Sequence, residues 1–149
     1  MHMNLFLKQL TQLVEDEKDI IANLSNTSAF LKEILDDINW VGFYLFNGKE
    51  LVLGPFQGKV ACTRIPLKKG VCGYAARNKQ VIRVDDVHQF EGHIACDSQS
   101  RSEIVLPIIV DNESKGVLDI DSPSYNRFSL EDENFLKEVI HIIETKIFD

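Results

Sequence analysis

The chain has 149 residues, the size of one domain, and at that length folding buries roughly two-thirds of the unfolded surface. With 44% hydrophobic and 26% charged residues and a net charge of −7, it lies in the soluble globular range, and an acidic surface repels a phosphate backbone, so nucleic acid is not an expected partner. The apolar run at residues 104–110 is interrupted by Pro107 and is far shorter than the ~20 residues of a bilayer span, and residues 1–6 carry no basic-then-apolar leader, so a cytoplasmic protein that avoids membranes is expected.

Residues 5–24 place Phe6, Leu10, Leu13, Val14, Ile20, Ile21 and Leu24 at helical spacing and predict one helix. The polar string Ser25-Asn26-Thr27-Ser28 reads as a break with capping hydroxyls, followed by a shorter helix carrying Phe30, Leu31, Ile34, Leu35 and Ile38. Residues 40–46 are aromatic and β-branched, Asn47-Gly48 supplies the positive backbone angles of a two-residue type I′ turn, and residues 51–53 return as the second strand of a hairpin. Residues 59–65 predict a third strand, residues 66–70 a turn, residues 71–77 a short helix and residues 81–84 a brief strand. The polar stretch 85–101 is long for a loop in a compact domain, which suits a cover over a site. Residues 103–110 and 116–120 predict strands joined by a turn at residues 111–115. Ser129 and Asp132 form a capping-box pattern at the start of a last helix through Ile147. Helices thus flank a block of strands, and with no repeat or linker the expectation is a single α+β domain over residues 1–149.

Three cysteines, Cys62, Cys72 and Cys96, occur in a chain with no secretory signal, which argues against a structural disulfide framework. Each lies beside a turn, a helix start or the polar loop, a setting that suits reactive thiols better than core packing. Cys72 falls in the first turn of the predicted short helix, where either the dipole favours a thiolate or the side chain simply packs, and Cys96 follows His93 and His88 closely enough for a proton partner. Two thiols that meet in space support redox turnover, because one resolves the sulfenic acid formed on the other. The three cysteines with His88 or His93 would also supply four zinc ligands, but no C-x(2–4)-C knuckle is present and no metal is expected.

A second constellation is acidic. Asp119 and Asp121 lie two apart on one strand and so share a face, and Glu103 opens another strand. On a solvated face they need no explanation. If they converge, they form an anionic pocket for a small cation such as an α-amino group, and Trp40, the only tryptophan, can wall it.

These residues resemble the free methionine-(R)-sulfoxide reductases, which are single GAF domains. The resemblance rests on Asn39-Trp40-Val41-Gly42-Phe43-Tyr44, Leu53-Gly54-Pro55-Phe56-Gln57-Gly58, Ala61-Cys62-Thr63-Arg64, Gly70-Val71-Cys72-Gly73, Gly92-His93-Ile94-Ala95-Cys96-Asp97-Ser98, Ser102-Glu103-Ile104-Val105 and Leu118-Asp119-Ile120-Asp121-Ser122, in order over most of the chain. It implies a central antiparallel sheet flanked by N- and C-terminal helices. It also implies reduction of free L-methionine-(R)-sulfoxide by the Cys96 thiolate, a sulfenic acid, and a disulfide formed by Cys62 as the resolving thiol. Cys72 stands by as a second partner, and thioredoxin is the external reductant. By the same resemblance Glu103, Asp119 and Asp121 hold the substrate amino group, Asp121 or Glu103 assists at the sulfoxide oxygen, and Trp40 and Tyr44 contact the substrate. A homodimer is implied, and no cofactor or metal. Tyr74, Asp85 and Glu91 depart from the family pattern. The fold also serves as a small-molecule sensor, so a non-catalytic binding module is the alternative.

Overall fold

The computed structural model describes residues 2–93 and 99–148. Its centre is a six-stranded sheet of β1 (Trp40–Phe46), β2 (Glu50–Gly58), β3 (Arg64–Pro66), β4 (Ile82–Val84), β5 (Ser102–Val110) and β6 (Glu113–Ser122). The order is β3-β2-β1-β6-β5-β4, with every neighbour antiparallel. Helices α1 (Met3–Glu15), α2 (Ile20–Ile34) and α4 (Leu130–Ile142) cover one face, and α3 (Gly70–Asn78) lies over the other.

Strand alternation divides the side chains between two cores. Val41 and Phe43 of β1, Ile104 and Leu106 of β5, and Leu118 and Ile120 of β6 are fully buried against α1, α2 and α4. Their neighbours Trp40, Tyr44, Val105 and Val117 point the other way, toward Val71 and Ala75 of α3. Both faces are therefore covered, and the carboxylates at alternate positions of β5 and β6 are not on a solvated surface.

The N-terminal helices differ from the expectation in where they break. The single helix read over residues 5–24 is two, because Asp19 adopts an extended conformation and its side chain accepts a hydrogen bond from the Ala22 amide at 2.9 Å, starting α2 afresh. Asn23 ties the turn by donating to the Glu17 carbonyl at 2.8 Å. The string at residues 25–28, read as a break, is the middle of α2. Thr27 and Ser28 donate their hydroxyls to the carbonyls of Asn23 and Leu24 at 2.7 and 2.8 Å, so polar side chains sit buried inside a continuous helix. The shorter helix expected to follow is absorbed into α2, which ends before Leu35 and Ile38.

The hairpin at residues 40–53 forms, but its turn is not type I′: only Gly48, at φ 96°, has a positive angle, and the Asn47 side chain accepts from the Lys49 and Glu50 amides at 2.9 Å each. The two-residue turn with both angles positive is Asp111-Asn112, at φ 53° and 65°, which joins the Val110 and Glu113 register pair. β2 is longer and β3 shorter than expected, because β2 stays paired with β1 through Gly58 across a bulge where Gly54 and Pro55 oppose Phe43. Proline is tolerated there since it has no ladder hydrogen to give. Residues 59–63 leave the sheet instead of extending β3.

The capping box of α4 is present as expected. Ser129 accepts from the Asp132 amide at 3.1 Å and Asp132 accepts from the Ser129 amide at 2.9 Å. The helix continues in a π-helical turn, Ile143–Ile147, that keeps Ile143 and Ile147 in the core. Among the described residues no helix is long and apolar enough to cross a membrane.

Candidate active site

Register builds the site. Asp121 is the partner of Trp40 on one side and Glu103 on the other, and Asp119 is the partner of Gly42 and Val105. The three carboxyl groups and the indole thus occupy neighbouring points on the face opposite the helical core. Above them the first turn of α3 brings Cys72. The cavity between is closed at its sides by Val60, Ala61, Ile65, His93 and Ser100. Trp40, Tyr44, Cys72, Glu103, Asp119 and Asp121 all line it, so the structure brings six of the eight candidate residues to one cavity. Cys62 is next to Ala61 at its edge, and Cys96 lies outside the described residues.

The aromatic wall is built by a glycine. Trp40 stacks on Phe56 with centroids 5.2 Å apart and on Tyr44 at 5.9 Å. A Cβ on Gly42 would fall 2.3 Å from Phe56 Cβ and 2.8 Å from the Trp40 ring, so only glycine admits this stack. The same two aromatics hold the loop at residues 59–63: Trp40 Nε1 donates to the Lys59 carbonyl at 3.1 Å, and the Tyr44 hydroxyl donates to the Cys62 carbonyl at 2.9 Å. Cys62 is engaged in a disulfide, whereas Cys72 is a free thiol.

The floor of the cavity is strongly acidic and dry. Glu103, Asp119 and Cys72 are only 5%, 6% and 4% exposed, and one donor atom from each lies within 4.8 Å of the other two. No lysine or arginine lines the cavity among the described residues. Glu103 Oε1 and Asp119 Oδ1 have no hydrogen-bond partner there, although His93 Nε2 approaches Glu103 Oε1 to 3.4 Å. Burial, reinforced by the Asp121 charge, pushes the Glu103 carboxyl well above its usual range. Asp119 is raised by burial and then by the charge of Glu103. Burial also lowers His93, more than the nearby Asp119 raises it, which favours neutral imidazole. The Tyr44 phenol is raised by burial first and Asp119 second.

Cys72 departs from the expectation of a dipole-favoured thiolate. It does sit in the first turn of α3, but burial and the charges of Asp119 and Glu103 push its pKa up, which favours the thiol. The His88 ring pairs with Asp86 at 2.9 Å and is not among the residues lining the cavity; Cys96, for which it is a candidate proton partner, lies outside the described residues. Sequence spacing gives no sign of the His93–Glu103 approach or of Ser100 in the wall, since both depend on how the stretch 85–101 returns to β5. The Tyr74 side chain packs edge-on against Phe90 at 6.2 Å, propping the start of that stretch from α3.

A pocket that, among the described residues, has three carboxyl groups, no lysine or arginine and an aromatic wall suits a small ligand that carries a positive group and an apolar part. The GAF domain family model matches residues 19–147. The chain is 54% identical over 137 residues to the free methionine-R-sulfoxide reductase of Escherichia coli, covering 92% of this chain and 83% of the relative. The fRMsr of Staphylococcus aureus in its reduced form superposes with a TM-score of 0.95 at 53% identity, covering 98% of this chain and 95% of the other. The free methionine-R-sulfoxide reductase of Neisseria meningitidis, solved in complex with its substrate, superposes with a TM-score of 0.94 at 46% identity, covering 98% and 88%. At this identity and coverage the chain belongs to the free methionine-R-sulfoxide reductase family of GAF domains.

Proposed function

We propose that this protein reduces free L-methionine-(R)-sulfoxide to L-methionine, using its own cysteines as the source of two electrons. The observation that carries this reading is the carboxyl triad of buried Glu103 and Asp119 with half-buried Asp121, beside Trp40, at the edge of which Cys62 is held in a disulfide. The relatives named for this activity support it.

In this reading the substrate ammonium group docks on the carboxyl triad and its methyl group on Trp40. The sulfoxide oxygen is a poor leaving group and needs a proton as sulfur is attacked, and Asp121 or Glu103 supplies it. For Glu103, burial beside two further carboxyl groups favours the protonated form that such an acid requires. The Cys96 thiolate attacks the substrate sulfur to form a transient S–S bond. The protonated oxygen then passes from that sulfur to Cys96 Sγ as the substrate S–O bond and the S–S bond break, so that methionine leaves and Cys96 is left as a sulfenic acid. The Cys62 thiol then attacks Cys96 Sγ, forming the Cys62–Cys96 disulfide and releasing water. A thioredoxin-type dithiol reduces the disulfide by exchange and restores both thiols. What favours Cys62 over Cys72 as the resolving thiol is that Cys62 is disulfide-engaged while Cys72 is buried, protonated and free.

The test is a thioredoxin-coupled assay of NADPH oxidation with racemic free methionine sulfoxide, with Cys96→Ser in parallel. Consumption of half the sulfoxide by the wild type and none by the variant supports the reductase. Absence of turnover by fully reduced wild type overturns it in favour of a non-catalytic binding module.

A further inference from the structure

We propose that Cys72, Glu103 and Asp119 form a binding site for one zinc-type divalent cation, which occupies the place of the substrate's ammonium group. The second clause rests on the substrate reading above; the metal site itself does not.

Two independent observations point to it. One sulfur and two carboxylate oxygens from α3, β5 and β6 converge to within 4.8 Å of one another. Glu103 Oε1 and Asp119 Oδ1 are buried without a hydrogen-bond partner among the described residues, in side chains more than nine-tenths buried that line the cavity. The two carboxyl groups bond to each other, and Asp119 to Cys72, yet leave these oxygens unpaired, and a cation seated between them takes up both.

The donor set decides which cation. An ammonium group or a hard ion such as magnesium has no use for sulfur, whereas zinc takes thiolate and carboxylate together. Zinc–sulfur and zinc–oxygen bonds of about 2.3 and 2.0–2.2 Å place tetrahedral donors roughly 3.3–3.7 Å apart, so side-chain rotations of about an ångström close the site. His93 Nε2, 3.4 Å from Glu103 Oε1, offers a nitrogen for a fourth position. This set differs from three cysteines and a histidine, because Cys62 is engaged in a disulfide and the available thiol is Cys72. Binding exchanges the Cys72 S–H bond for a sulfur–metal bond, and the proton goes to solvent.

Cobalt(II) tests the site, since thiolate coordination gives a near-ultraviolet charge-transfer band and tetrahedral geometry gives strong visible absorption. The disulfide form of the full chain is titrated, so that Cys72 is the thiol read. The expected result is one cobalt per chain, displaced by zinc, with the band lost in Cys72→Ser and affinity weakened at least tenfold in Asp119→Asn. The Glu103→Gln/Asp119→Asn double variant, which keeps the thiol, guards against a Cys72→Ser chain that does not fold; it is expected to bind no cobalt tightly. No band in the wild type, a band intact in folded Cys72→Ser, or unchanged affinity in the double variant overturns the site. L-Methionine is expected to raise the apparent cobalt Kd. If it does not compete in a protein that turns over sulfoxide with dithiothreitol, the shared position is overturned. If there is no turnover, the substrate reading fails and the spectra alone decide the metal site.

Discussion

Glu103 and Asp121 face each other as register partners across the β5–β6 ladder, with Trp40 the partner of Asp121 on its other side. Directly opposed side chains on antiparallel strands have Cβ atoms about 5 Å apart, a spacing at which like charges repel. The sheet thus forces two acids together, with Asp119 as a third, and leaves Glu103 and Asp119 only 5% and 6% exposed.

That crowding sets how stability varies with pH. The folded pKa values of Glu103 and Asp119 are raised, so the folded state holds protons that the unfolded state releases. Their contribution is full below the unfolded carboxylate range near pH 4 and is lost as pH rises through the raised folded values. The wild type is therefore expected to lose thermal stability on the alkaline side of that window. Asp119→Asn, which cannot ionise, flattens the loss and raises Tm at pH 8 by roughly 2–4 °C, equivalent to ~1 kcal/mol. Thermal unfolding followed by circular dichroism from pH 5 to 8 checks this; a variant less stable at every pH contradicts it.

The same carboxyl groups are expected to separate by role in steady-state kinetics. Glu103→Gln and Asp121→Asn test the acid, and whichever residue protonates the oxygen loses about 10²–10⁴-fold in kcat. Asp119→Asn removes one charged partner of the ammonium group and raises KM by about 10–100-fold. Equal effects of all three on KM alone would remove the acid from the mechanism.

Gly42 is open to a packing test. An added methyl group meets Phe56 Cβ at 2.3 Å and the Trp40 ring at 2.8 Å. Gly42→Ala is expected to cost about 1–3 kcal/mol in urea unfolding and to shift the emission of Trp40, the only tryptophan. Unchanged emission would mean that the stack survives the clash.

Much of this fold was legible from side-chain pattern because local chemistry set it. Ser129 and Asp132 cap each other within three residues, and Asp119-Ile120-Asp121 alternates because a strand must. Alternation alone leaves open whether the acids meet in a pocket or face solvent; it is the covering of both sheet faces that settles it. The helix break was not legible: Asp19 and residues 25–28 carry the same kinds of capping side chain, and burial of Thr27 and Ser28 under the sheet decides which stretch stays helical. The turn types were exchanged because positive φ at Asp111 and Asn112 is held by strand register on both sides, whereas Asn47-Gly48 relaxes by a side-chain hydrogen bond. The protonated state of Cys72 was hidden because helix position argues for a thiolate, and only the assembled site brings Asp119 and Glu103 to oppose it.

Away from the site, Ser129→Ala removes one side of the capping box. The expected cost is about 1 kcal/mol, or roughly 2–4 °C in Tm, with kcat/KM for the sulfoxide unchanged. Calorimetry and the coupled assay, run on the same preparation, check both halves.

Tyr44 holds the Cys62 carbonyl through its hydroxyl at 2.9 Å. Tyr44→Phe removes that hold while keeping the stack on Trp40, and is expected to slow disulfide formation roughly 2–10-fold, the range of one hydrogen bond. Single-turnover experiments that count free thiols against methionine formed separate this step from sulfoxide attack; identical rates of thiol loss would show that the anchor does not matter.

The small turn at Asp111-Asn112 has a reach out of proportion to its size. It closes the hairpin at the end remote from Glu103, and every β5–β6 pairing between is counted from it and from the bulge at Ile108 and Ile109. One residue inserted there would act like a frameshift in three dimensions, turning Asp119 and Asp121 into the helical core and Ile120 into the pocket. This distant turn must keep its length for the acids to stay on the pocket face.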